Sequence, residues 1–300
     1  MARVVVVHGI GQEFTGPESM GTVVGAALRD GMRLAGRGDL APDDVTCAFY
    51  GNVFTAPGAR SGDVPPWDET DVESGIETDL LEVWWRAAAS ASPTMVQSPD
   101  ALGTRGALAY GASRALLSHR VRAGLDALSA SPYFAAVSDR MLILGLKQVR
   151  RYMTEPALRQ AARAEIAKVV TSDTRVIVAH SLGSVVAYEA LCANPWWPVT
   201  DLVTVGSPLG MRSVIFDRLD PAPSNGIGTW PRGLDRWVNI ADYGDVVALP
   251  AQLERKFGPS HIRDERIVNG VQMHDLARYL TAPKTGAAIA DGLVDDQAEE

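Results

Sequence analysis

Apolar residues along this chain recur in two rhythms. Near the N-terminus, ARVVVVH (residues 2–8) is a nearly continuous β-branched block ended by Gly9, the signature of a strand buried on both faces of a parallel sheet. VTCAFYG (residues 45–51) is a second such block. Between them, GTVVGAALRDGMRLAG repeats apolar residues at helical spacing and closes on Gly36, so the first fifty or so residues predict a βαβ unit. The pattern resumes after residue 154 with a helix, PALRQAARAEIAKVV, a strand, RVIVAH, and a helix, SVVAYEALCA. Three strands, DLVTVGS, RWVNIA and ERIVNG, and a closing helix, HDLARYLTA, complete it. Strands alternating with helices predict an α/β fold, a doubly wound and mostly parallel sheet with helices on both faces.

Residues 56–154 break this alternation. They read as helices only, over about 69–91, 107–130 and 133–152, which predicts an all-helical cap inserted over the active face of the sheet. The expected organisation is therefore a core of residues 1–55 and 155–285, a helical insertion at 56–154, and a flexible acidic tail at 286–300. The tail assignment rests on DGLVDDQAEE, with five acids and no base. Within the insertion, Ile76, Leu80 and Trp84, and then Leu116, Val121, Leu125 and Leu128, fall at roughly helical spacing. That is more apolar surface than a helix leaves in water, and part of it is expected to face an acyl chain.

Charge narrows the partners. The chain carries 28 basic and 36 acidic residues, a net charge of −8, which argues against a nucleic-acid binder. Residues 105–168 hold 11 Lys and Arg against 4 acids, whereas residues 63–82 hold 8 acids and no base. Either these segments face each other within one subdomain, or the basic helices form a surface that contacts anionic substrate or a membrane peripherally. The four-valine run at the N-terminus is too short for a signal sequence, and no stretch approaches the roughly 20 apolar residues of a membrane span, so a cytoplasmic protein is expected. Cys47 and Cys192 are too few for a disulfide framework and read as small buried side chains.

The chemistry is concentrated where RVIVAH gives way to its helix. Ala179-His180-Ser181-Leu182-Gly183 matches the G-x-S-x-G nucleophile elbow, with Ala in the first small position. A serine at so tight a strand-to-helix turn is displayed at the carboxyl edge of the sheet, but it needs a base, and the base needs an acid to orient it. Of the histidines, His261 and His274 follow Ser181; His261 precedes the last predicted strand, on the wrong side of the sheet, so His274 is the expected base. Asp242 and Asp245 both lie just beyond the strand RWVNIA. Asp245 is favoured as the acid because it sits deeper in the loop, while Asp242 is placed to hydrogen-bond the turn. The oxyanion needs backbone donors, assigned to Leu182 and to Ile10 in the loop HGIGQ, with Gly11 as the alternative to Ile10. Gly9, Gly11, Gln12 and His180 are candidate substrate-binding residues beside them, and His8 is expected to hold the loop by hydrogen bonds.

Together VVVVHGIGQ, VIVAHSLGS, LVTVGSPLG, WVNIADYGDVVA and MHDLARYL resemble the α/β-hydrolase superfamily. They are most similar to its lipase and esterase branch, including bacterial relatives of the GPI inositol deacylase type. The resemblance spans residues 2–51 and 155–282 and leaves the helical insertion aside. It implies that Ser207 and Pro208 line the pocket near Ser181, and that the protein is a serine hydrolase using a Ser181-His274-Asp245 triad on a lipid-like or acyl ester. Thioesterase, amidase or peptidase, and acyltransferase chemistry use the same parts, and a scaffold without catalysis that binds a ligand or partner is the alternative of another class. No metal or cofactor is expected, since the five histidines are scattered and no phosphate-binding loop occurs.

Overall fold

The computed structural model describes residues 2–55, 65–102, 114–135, 137–258 and 262–294. In chain order the elements are β1 (Val4–Val7), α1 (Pro17–Leu34), β2 (Val45–Ala48), α2 (Ile76–Ala91), α3 (Arg114–Ser129), α4 (Asp139–Thr154) and α5 (Pro156–Val169). They continue with β3 (Val176–His180), α6 (Leu182–Ala193), β4 (Asp201–Val205), β5 (Arg236–Asp242), α7 (Glu254–Phe257), β6 (Ile262–Ile267), α8 (Leu276–Thr281) and α9 (Pro283–Leu293). The chain divides into two compact units, one formed by Met1–Ala56 and Pro156–Glu300, the other by Pro57–Glu155.

The first unit is an α/β fold around one six-stranded sheet of order β2-β1-β3-β4-β5-β6, with every described pair parallel. All four valines of β1 and all five residues of β3 are buried, as strands covered on both faces must be. Val4 and Val6 of β1 share a core with Val24 and Leu28 of α1, Tyr279 and Leu280 of α8, and Ile289 of α9. Because strand side chains alternate, Val5 and Val7 point to the opposite face, where α5 and α6 pack together and α6 meets β1 and β3. The sheet grows from β1 to β2 on one side and from β3 to β6 on the other. Its switch point therefore lies between β1 and β3, and in sheets of this kind sites are built outside the carboxyl ends of the strands at that point.

Two expectations for this unit are corrected. The segment from residue 286, read as tail, is helical as far as Leu293, with Ala288 and Ile289 buried; a Cβ at Gly286 would lie 2.1 Å from the Gly31 carbonyl oxygen of α1, so the two helices touch backbone to backbone. Residues 295–300 of the expected tail lie outside the described residues. The last strand spans Ile262–Ile267 rather than starting at Glu265. Asp264 anchors it there by accepting from the amides of Leu253 and Glu254, each at 3.0 Å, and from Asn239 at 2.8 Å. Its polar sequence is tolerated because β6 is an edge strand.

The second unit is built from α2, α3 and α4. Leu80, Leu81, Trp84 and Trp85 of α2 are buried, as are Val121, Leu125 and Leu128 of α3 and Leu142, Ile143 and Leu146 of α4, and α2 packs on both of the others. Leu116 of the expected apolar stripe is instead 55 % exposed. The helices are shorter than expected: α2 starts only after Gly75, which adopts φ +100, and α4 starts where Ser138 caps it, so residue 133 falls in a turn. The first two turns expected for the middle helix, residues 107–113, lie outside the described residues. The acidic and basic segments face each other: Arg150 and Lys147 meet the fully buried Glu77 at 2.7 and 3.5 Å, and Arg120 meets Glu82 at 3.0 Å. Among the described residues no helix is long and apolar enough to cross a membrane.

Candidate active site

β3 ends at His180, α6 begins at Leu182, and the whole turn between them is Ser181. Its backbone is at φ 51, ψ −131, a region non-glycine residues rarely enter and one that costs about 1–3 kcal/mol. The surroundings hold it there. The Ser181 amide donates to the Val205 carbonyl at 3.2 Å, and its own carbonyl accepts from the Ser184 amide at 2.9 Å and the Ser184 hydroxyl at 2.6 Å. Both glycines around the turn allow contact that a side chain would block. A Cβ at Gly183 would lie 2.1 Å from the His8 carbonyl oxygen, and one at Gly9 would lie 2.8 Å from Ser181 Cβ.

Parallel strands deliver their following loops to one edge, and three of those loops meet at Ser181. His274, between β6 and α8, has Nε2 at 2.9 Å from Ser181 Oγ and Nδ1 at 2.7 Å from Asp245 Oδ2. A carboxylate only accepts, so Nδ1 carries the proton and Nε2 faces the serine as the free base. Asp245, in the loop after β5, is 4 % exposed, and its other oxygen accepts from the amides of Val247 and Ala248 at 2.9 and 3.1 Å. Burial alone would raise this carboxyl. The charge His274 carries once protonated and its hydrogen bond, with donors from Tyr279 and Val247, outweigh it and hold it at about 2.

Asp242, the competing acid, braces the loops instead. One of its oxygens accepts from the Gly244 amide at 2.7 Å and the other from the Asn269 amide, tying the loop that carries Asp245 to the chain that leads to His274. His261, set aside as the base, lies outside the described residues.

The remaining candidates divide by position. Leu182 is the first residue of α6, where amides have no acceptor within the helix. Ile10, Gly11 and Gln12 are partly exposed in the loop after β1, and Gly11 takes φ +75. Gly9 is buried against Ser181 and His180. His8 stacks on Tyr50, donates from Nδ1 to the Gly9 carbonyl at 2.7 Å and accepts the Tyr50 amide at Nε2 at 3.0 Å. Burial keeps it neutral, down to about 4.

Three further candidates for the pocket are buried, as Ser181 itself is. His180 is 7 % exposed; its Nε2 donates to the His274 carbonyl at 2.9 Å, and burial, with repulsion from His274 once that ring is protonated, pushes it well below the usual histidine range. Ser207 is 2 % exposed and hydrogen-bonds Ser184 at 2.7 Å, and Pro208 is buried beside it. The strand-end pattern placed them at this edge, where they pack around the tight turn at Ser181.

Two residues escaped the sequence reading. Tyr279 donates to Asp245 Oδ2 at 2.7 Å, yet in HDLARYL it reads as one more core position of an amphipathic helix. Gly206, at φ +58, lies where a Cβ would come within 3.0–3.1 Å of His274, Tyr279 and Asp245. The glycine in TVGSPLG was the available signal. Among the described residues no three His, Cys, Asp or Glu side chains are placed to hold a metal ion. Comparison with known proteins gives no match to a family model, to a curated protein or to a solved structure.

Proposed function

We propose that the protein is a serine hydrolase of the α/β-hydrolase type that cleaves a carboxylic ester through an acyl-enzyme. The observation that carries this reading is the line Ser181–His274–Asp245, with contacts of 2.9 and 2.7 Å, drawn from three loops onto a serine held at positive φ. A buried serine that only capped its helix would need neither the strained backbone nor a histidine whose second nitrogen is fixed by a carboxylate.

In the proposed reaction Ser181 Oγ attacks the ester carbonyl carbon while its proton passes to His274 Nε2. The carbonyl electron pair moves onto oxygen, which receives the N–H groups of Leu182 and Ile10. Collapse of this intermediate breaks the C–O bond to the alcohol, which leaves with the proton from His274, and Ser181 remains acylated. A water molecule, deprotonated by His274, then releases the carboxylic acid and restores the serine. Asp245 stays ionised throughout and stabilises the imidazolium. The lipid-like acyl group expected from the helical insertion finds less support, because most of its apolar stripe is buried. The cations that suggested membrane contact include Arg120, Lys147 and Arg150, which pair within the insertion, so we name no membrane partner.

The test is labelling by a fluorophosphonate together with turnover of p-nitrophenyl acetate, the matching thioester and the matching amide. Wild type is expected to label and to hydrolyse the oxygen ester, and Ser181→Ala to do neither, with kcat lower by several orders of magnitude. A folded, unlabelled wild type without turnover would return the fold to a non-catalytic binding role.

A further inference from the structure

Asp245 Oδ2 is shared. It accepts from His274 Nδ1 at 2.7 Å and, at the same distance, from the hydroxyl of Tyr279, a fully buried residue of α8. The same hydroxyl accepts the backbone N–H of Asp242 at 2.8 Å. A phenol has one proton and an amide can only donate, so the Asp242 amide leaves the Tyr279 proton no direction but Asp245. With the Val247 and Ala248 amides on Oδ1, the carboxylate receives four donors for its roughly four lone-pair sites. These donors fix its orientation.

We propose that Tyr279 is a positioning residue that sets the aim and the charge of Asp245, and through it the basicity of His274. The proposal rests on the triad reading above. A buried tyrosine needs some partner for its hydroxyl, but one directed at the very oxygen that faces the base has a further effect. It draws negative charge from Oδ2, so the imidazolium formed during the reaction is less stabilised than Asp245 alone would make it. Gly206 makes the arrangement possible, since any side chain there would enter the space where Tyr279, Asp245 and His274 converge. The other charged or titratable groups facing this cluster are His180 of β3, whose ring centre is 4.6 Å from that of His274, and Asp242 of β5, with His8 acting on His180 from β1.

The experiment compares the acid limb of the kcat/KM profile, for p-nitrophenyl acetate, in wild type, in Tyr279→Phe and in protein with a ring-fluorinated tyrosine at position 279. Removing the hydroxyl is expected to move the limb to higher pH by about half a unit and to lower kcat roughly 10-fold with little change in KM. The fluorinated ring keeps the shape and donates a stronger hydrogen bond, so the limb is expected to move to lower pH. A merely structural role would shift both limbs the same way or not at all, and either result overturns the proposal. Should Tyr279→Phe fail to fold, the fluorinated protein decides alone, and an unmoved limb overturns it. Wild-type labelling by the fluorophosphonate separates the two ideas: an inert wild type sinks the triad reading and this proposal with it, whereas a reactive wild type with unmoved limbs sinks only the role of Tyr279.

Discussion

Gly183 lies so close to His8 that a methyl group on residue 183 would come within 2.1 Å of the His8 carbonyl oxygen. The first turn of α6 and the end of β1 therefore meet backbone to backbone, and that contact sets the Ser181 turn against the loop that carries Ile10. Gly183→Ala is expected to push them apart, lowering stability by about 1–3 kcal/mol and kcat/KM by roughly 100-fold through misplacement of the oxyanion donors. Gly21→Ala in α1, where an added Cβ meets nothing within 4 Å, is the control and should be stable or slightly stabilised. Thermal melts and ester kinetics on both variants check this; an active Gly183→Ala protein would contradict it.

The two aspartates beyond β5 should separate by kind of damage. Asp245→Asn replaces an acceptor of the His274 proton by an amide that can present a donor, favouring the wrong tautomer, so kcat should fall by about 10³–10⁴ with the fold retained. Asp242→Asn removes charge from an oxygen pair that accepts the Gly244 and Asn269 amides. Its main effect should be on stability, about 1–3 kcal/mol, with a much smaller loss of kcat. Urea titrations and steady-state kinetics of the two variants give the ranking, and the reverse order would move the acid role to Asp242.

Acid should weaken the fold before it reaches the carboxylates. In the unfolded chain His8 takes up a proton below its ordinary value of 6.5, but in the fold burial delays this to about 4. Between those limits the unfolded state binds more protons, so stability falls as pH is lowered from 6.5 to 4, by about 3 kcal/mol for His8. His180 acts in the same direction. Asp245, held at about 2 against an ordinary 3.8, adds a separate loss below 3.8. Urea midpoints at pH 7.5 and 4.5 measure the first window. His8→Phe, which keeps the stack on Tyr50, should be less stable at pH 7.5 yet lose less on acidification; equal midpoints for wild type at both pH values would refute the account.

Much of this was readable in the residues, for physical reasons that also mark the limit. The β-branched runs of β1 and β3 and the small residues around Ser181 announce buried strands and a tight turn, because few other structures need them. Asp245 could be preferred over Asp242 from loop depth alone. The helix α9 could not be read: its small residues pack through backbone proximity at Gly286 and Gly31 rather than through a broad apolar stripe, and its acidic end resembles a solvated tail. The depth of His180, Ser207 and Pro208 could not be read, because a strand end fixes the edge a residue occupies, not its burial. Tyr279 was hidden because its use depends on a hydrogen bond to a residue 34 positions away.

If the proposed hydrolase function holds, its acyl preference should reflect where the apolar side chains of the helical unit went. Leu80, Trp84, Leu125 and Leu128, which could have met a hydrocarbon chain, are at most 4 % exposed. Among the described residues of that unit, Met95 at 60 % and Leu116 at 55 % are the large apolar side chains that stay in water. Complete burial of each added methylene would give about 0.8 kcal/mol, a rise in kcat/KM of up to about fourfold per carbon. With so little apolar surface left over among those described residues, the expected slope from p-nitrophenyl acetate to decanoate is well below that ceiling and flattens within the first few carbons. Kinetics at fixed pH across the series, below the micelle concentration of each ester, measure it directly. A slope near the ceiling sustained beyond hexanoate would mean that an apolar channel receives the chain, and would restore a lipid-like substrate.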